Sequence, residues 1–201
     1  MSNGPSFAEL EAAAGAVIGI LKTIPEFSNS RIAIIGGLGL WRYIRYYRTT
    51  EDVDFLITVQ GAPKVVKDKL LAMPSSPFQQ KAQLFFYNGA NGRSIQIDIT
   101  PDWQSPYVPS AAVPILAVRP NALPYISELD LLVFKINSCG LRPTHGKKLR
   151  DATDAVELTE DLSSKGSIVL SAFQKVLYFN VWMTWLRYLG KARRGGWRSW
   201  R

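Results

Sequence analysis

Between Ile34 and Ile57 the chain sets two acids into a strand that is otherwise apolar. The run Asp52-Val53-Asp54-Phe55-Leu56-Ile57 predicts an extended segment, and because side chains alternate along a strand, Asp52 and Asp54 project from one face. Their α-carbons then lie roughly 6.5 Å apart, close enough for both carboxylates to converge on one or two hard cations. Two like charges on an apolar strand are electrostatically costly unless something positive lies between them, and a divalent metal meets that need. Upstream, Arg31 to Ile35 predicts a short strand buried on both faces by its continuous apolar run, and it ends in Gly36-Gly37. Leu40, Trp41, Ile44 and Tyr47 recur at helical spacing, so a helix is predicted over 38–47 with its N-terminus against the glycine pair. That placement aims backbone amides and the positive end of the helix dipole at a phosphate.

The order Gly36-Gly37, helix, Arg48-Thr49-Thr50-Glu51-Asp52-Val53-Asp54, and a further acid, Asp98, on a later predicted strand resembles the nucleotidyltransferase superfamily that includes polymerase beta and kanamycin nucleotidyltransferase. Farther along, Lys135 and Arg142 in the run from Leu131 to Arg142, then Lys147, Lys148, Asp151 and Asp154, resemble the Lys, Arg and Lys-Asp helical motifs of the branch with abortive-infection toxins, and uncharacterised fungal members. Together the likeness covers residues 30–160. Two departures stand out. Gly37 occupies a place where the family often has Ser, which removes a hydroxyl contact to phosphate, and Leu149-Arg150 separates Lys148 from Asp151. The resemblance implies a minimal nucleotidyltransferase fold of the α/β class, a mixed β-sheet flanked by helices with a C-terminal helical extension. It also implies a catalytic and metal-binding set of Asp52, Asp54 and Asp98 holding Mg2+ or Mn2+. Gly36, Gly37, Arg48, Thr49, Lys135, Lys148 and Asp151 would then contact the nucleoside triphosphate, ATP or another, that serves as substrate. The implied acceptor is an RNA, a protein hydroxyl or a small molecule.

With 201 residues, 47% of them hydrophobic and 20% charged, the chain supports one well-buried core and is short for two full domains. The expected organisation is an α/β core over 1–125, a helical region over 126–190 and a basic tail over 191–201. A single cysteine, Cys139, excludes an intramolecular disulfide and any multi-cysteine metal site; with no signal-like N-terminus, a cytoplasmic or nuclear location is expected. There is no uninterrupted apolar run of about 18 residues, so no membrane span is expected. The lone histidine, His145, argues against zinc hydrolase chemistry and a Ser-His-Asp triad. Of the net charge of +8, six cations lie at Arg187, Lys191, Arg193, Arg194, Arg198 and Arg201 with no acid among them, which leaves about +2 on the rest. Trp197 and Trp200 are interleaved with these arginines, a composition suited to gripping RNA, to an anionic lipid surface, or to a solubilising tail.

The remaining pattern predicts helices over 7–24, closed by Pro25, and over 63–73, followed by the breaker Pro74-Ser75-Ser76-Pro77. Strands are predicted over 83–87 and 94–100 around a hairpin-type turn, and a short strand over 115–118. Helices follow over 127–138, 147–158 and 167–189. Paired glycines also make ordinary turns, and acids at a strand end can be simply solvated. Asp98 alternates with Ile95, Ile97 and Ile99 and faces away from them, as many outward strand acids do. Arg48 suits a phosphate contact or a structural pair. Lys135 lies among Leu132, Val133, Phe134 and Ile136 and needs a phosphate or a carboxylate partner. For Arg142, Lys147, Lys148 and Asp151 a solvated helix face is the alternative; Cys139 reads as core and His145 as loop. Two rivals to an enzyme are a catalytically silent nucleic-acid-binding module of the same fold, and a membrane-peripheral protein using Trp182, Trp185, Trp197 and Trp200. Metal-dependent nucleotide binding separates the enzyme from both.

Overall fold

A computed structural model of the chain describes residues 4–177. The tail over 191–201, the four C-terminal tryptophans and most of the helix predicted over 167–189 lie outside the described residues; 172–177 are helical. The chain divides into two compact units, residues 1–131 and 132–201.

The first unit opens with α1 (Phe7–Leu21), which starts where Ser6 and Glu9 bond reciprocally: the Glu9 amide donates to Ser6 Oγ at 3.3 Å and the Ser6 amide to Glu9 Oε2 at 2.8 Å. This box, with Arg93 beside it, holds the Glu9 carboxyl below its ordinary pKa. Leu10, Ala13, Ala14, Val17, Ile18 and Leu21 recur every three to four residues and are buried, forming the face that packs into the core. Each fully buried leucine or isoleucine there is worth roughly 1.5 to 3 kcal/mol. The helix stops at Leu21, three residues short of the predicted Ile24. Proline disfavours helical geometry in the residue before it, and Ile24 is extended at φ −100° and ψ 103°.

Strands β1 (Arg31–Ile35), β2 (Asp52–Ile57), β3 (Phe78–Lys81), β4 (Leu84–Asn88), β5 (Ser94–Pro101) and β6 (Val113–Pro114) form one mixed sheet in the order β3-β4-β5-β2-β1-β6. Only β2 and β5 pair in parallel; every other neighbour is antiparallel. A parallel pair needs a crossover, and here it includes α3 (Lys64–Leu71) and the β3–β4 hairpin. Val53, Phe55 and Ile57 of β2 and Ile95 and Ile97 of β5 join the α1 face in the core.

The helix predicted over 38–47 is α2 (Gly36–Tyr43), so the glycine pair forms its first turn and Ile44 already departs from helical geometry. Residues 44–51 become the return to β2. The strand predicted over 115–118 is instead a turn of 3-10 helix at Ile115–Ala117, and pairing occurs earlier, at Val113–Pro114 against Ile32 and Arg31. Proline lacks the amide for a continuing ladder, which confines it to an edge. Strand β3 was not predicted: after Phe78 it reads Gln-Gln-Lys and buries only its first residue.

Helix α4 (Glu128–Leu141) begins at Ser127, whose Oγ accepts from the Asp130 amide at 3.0 Å. In the second unit α5 (His145–Lys165) runs two residues earlier and seven later than predicted, and Gly166 ends it. No helix among the described residues is long and apolar enough to cross a membrane.

Candidate active site

The parallel register sets Asp54 opposite Asp98 and Asp52 opposite Gln96. Register partners share a face, as do residues two apart along a strand, so these side chains form a rectangle on the two central strands. Three corners are acidic. Asp52, Asp54 and Asp98 are each half-buried and offer one oxygen apiece within 4.8 Å of one another. Three carboxylate oxygens with no histidine or thiolate form the donor set of a hard divalent cation, so the residues fit magnesium or manganese.

Each of the three acids accepts from a neutral donor. Thr50 Oγ1 donates to Asp52 Oδ1. The Gly37 amide donates to Asp54 Oδ2 at 3.2 Å. Gln96 Nε2 donates to both oxygens of Asp98, at 3.1 Å each. Gln96 escaped the sequence reading, and Thr50 entered it only as part of the run before the acids that contacts phosphate or holds the loop, because no apolar period marks a side-chain bond to a carboxylate. The local signal was a polar side chain two residues before an acid: Thr50 before Asp52, and Gln96 before Asp98 on the same strand face.

The glycine pair is pressed against the acids, which explains its composition. Gly36 has φ +68°, and a Cβ there would overlap the Asp54 carboxylate and lie 2.8 Å from Asp54 Cβ. A Cβ on Gly37 would collide with the Thr50 hydroxyl and lie 2.7 Å from Thr50 Cβ. The side-chain volume that a serine at position 37 would need is thus already filled from the neighbouring loop. Arg48 and Thr49 lie on that loop; Arg48 is half-buried and its Nη1 donates to the Thr49 carbonyl at 3.1 Å, while Thr49 is exposed.

In the second unit the Lys135 ammonium lies 3.1 Å from Asp151 Oδ1 and 2.8 Å from Asp154 Oδ2, and all three side chains are buried. Arg142 Nε meets the other oxygen of Asp151 at 2.7 Å. Lys135 thus bridges two carboxylates, and Asp151 is shared between two cations. Asp151 is a buried member of this set, whereas its sequence alternative was a solvated helix face. Lys148 is half-buried and its carbonyl lies 3.4 Å from Cys139 Sγ. Burial, and then the Asp151 charge, push the Cys139 thiol pKa up.

No family model and no curated protein sequence matches the chain. Solved structures do. An antigenic nucleotidyltransferase-like protein from Paracoccidioides brasiliensis superposes with a TM-score of 0.54 and 18% identity, over 92% of this chain and 92% of that one. The solution structure of the antibiotic-resistance factor ANT(2'')-Ia aligns over 91% of this chain and 98% of that chain, at 12% identity and a TM-score of 0.44. The first of these likenesses spans nearly the whole of both chains, and it agrees with a mixed sheet whose central strands carry the acids: the chain has the nucleotidyltransferase fold.

Proposed function

We propose that the chain is a metal-dependent nucleotidyltransferase, moving a nucleoside monophosphate from a nucleoside triphosphate to an acceptor hydroxyl and releasing pyrophosphate. The observation that carries this reading is the convergence of Asp52, Asp54 and Asp98 beside a glycine turn whose Cβ positions are filled by Asp54 and Thr50. Magnesium or manganese held by the three acids would supply positive charge against the triphosphate and the attacking oxygen.

The chain's own residues have separable parts in the transfer. The acceptor oxygen forms a bond to the α-phosphorus as the bond to the bridging oxygen breaks, and pyrophosphate leaves with that electron pair. Asp98 is half-buried rather than sealed, so an acceptor hydroxyl can reach it, and its carboxylate takes the released proton. Gly36 and Gly37, in the first turn of α2, would set backbone rather than side chain against the phosphates, the Gly37 amide being already engaged by Asp54, and Arg48 and Thr49 lie on the adjoining loop. Of the residues expected at the nucleotide in the second unit, Lys135 and Asp151 are paired with one another. The acceptor class covers RNA, protein hydroxyls and small molecules. The acids argue against a silent binding module, which has no use for three converging carboxylates.

Calorimetric titration of each nucleoside triphosphate with and without Mg2+ tests the reading. Wild type should bind only with metal, and Asp52→Asn/Asp54→Asn should lose that binding while keeping its fold. Equal triphosphate affinity in the two proteins with magnesium would overturn it. Labelled triphosphate incubated with RNA, protein or aminated sugars then identifies the acceptor.

A further inference from the structure

The fourth corner of the rectangle is Gln96, and its amide does something the acids cannot do for one another. A carboxylate can rotate about its last bond, and a hydrogen bond from a fixed neighbour removes that freedom. Gln96 Nε2 lies 3.1 Å from each oxygen of Asp98, so it straddles the carboxylate and restrains its rotation while one of its oxygens stays within 4.8 Å of an oxygen from each of Asp52 and Asp54. Gln96 is anchored in turn by its place in β5, where its backbone pairs with Asp52 between the buried Ile95 and Ile97. The donor is neutral. A lysine or arginine there would compete with a cation for the acids, and a fourth carboxylate would add repulsion. An amide is the group that orients an acid without doing either.

We propose that Gln96 is a positioning residue: it holds Asp98 in the orientation that lets the three carboxylates grip one divalent cation. The inference rests on the transferase reading of the site, but it concerns cation uptake and can fail separately. It acts through Asp98, so its effect vanishes when Asp98 is gone.

The test is Mn2+ binding by the full chain, without nucleotide, followed by electron paramagnetic resonance for wild type, Gln96→Met, Asp98→Ala and the double variant. Gln96→Met keeps the length and loses the donor; Gln96→Asn keeps an amide but draws it back by one methylene. Either substitution should weaken Mn2+ binding about 5- to 10-fold in wild type and leave the Asp98→Ala background unchanged, the signature of residues acting as one unit. A merely structural part would weaken binding equally in both backgrounds, and that result overturns the inference. So would full Mn2+ affinity in both Gln96 variants while Asp98→Ala binds poorly; in that case the site reading stands. If wild type takes up no Mn2+, or Asp98→Ala binds as wild type does, the site reading falls and the inference with it.

Discussion

Gly36→Ala probes how tightly the turn and the acids are fitted. Two costs follow from the geometry. At φ +68° an alanine sits in the left-handed region, at about 1 to 2 kcal/mol. Its methyl would also overlap Asp54, whose Cβ stands only 2.8 Å from the new atom, and forcing a packed neighbour aside costs about 1 to 3 kcal/mol. Alanine restricts the unfolded chain as well, which returns roughly 0.4 to 1 kcal/mol. The net is a loss of about 3 kcal/mol, or about 6 to 12 °C in Tm for a chain of this size. Urea denaturation in a chelating buffer, so that no metal contributes, measures it directly. The same substitution in an Asp54→Ala background should cost less, about 1.5 to 2 kcal/mol, because the carboxylate overlap is gone while the backbone strain and the contact with the remaining Cβ stay. A loss below about 0.5 kcal/mol, or equal losses in the two backgrounds, would refute the fit between turn and acid.

Lys135→Met removes the cation between two buried carboxylates and should cost about 3 to 5 kcal/mol in urea denaturation. A loss under about 1 kcal/mol, with transfer falling ten- to a thousand-fold, would instead assign Lys135 to the nucleotide. Cys139, the one thiol, has its pKa raised by burial, so at any pH below that value less of it is thiolate than in the unfolded chain. Its reaction with Ellman's reagent at pH 8 should be at least about tenfold slower in the native protein than in urea; equal rates would show that the thiol is open to solvent.

What could be read in advance was whatever a local period encodes. β1 and β2 were legible because a continuous apolar run in one, and in the other an acid-apolar alternation leading into Phe55-Leu56-Ile57, point to strands, and with them the shared face of Asp52 and Asp54. Helix α5 was legible in kind but not in length, since beyond Leu158 none of its residues is buried and little apolar pattern marks them. β3 carried no such signal, because an edge strand of polar residues is held by backbone pairing to β4 rather than by side-chain burial. The partners of the acids were hidden for another reason. Gly37 meets Asp54, and Asp98 comes beside Asp54, only once segments far apart in sequence are brought together, while Thr50 and Gln96 stand two residues before the acids they bond with no apolar pattern to mark them. For Lys135 the sequence demanded a partner without naming one; the structure supplies Asp151 and Asp154 from the following helix.

Positions 37 and 50 share a single pocket of space, filled here from the Thr50 side. Such a shared volume ties two sites thirteen residues apart into one unit of inheritance. A serine entering at 37 has no room until threonine at 50 has shrunk, and a shrunken 50 leaves a void, and Asp52 without its hydroxyl donor, until 37 has grown. Each single step passes through a less well packed protein, so the exchange needs both changes together. A linear pattern that expects a hydroxyl directly after the first glycine therefore misses the one in this chain, which the fold brings to the same place from position 50.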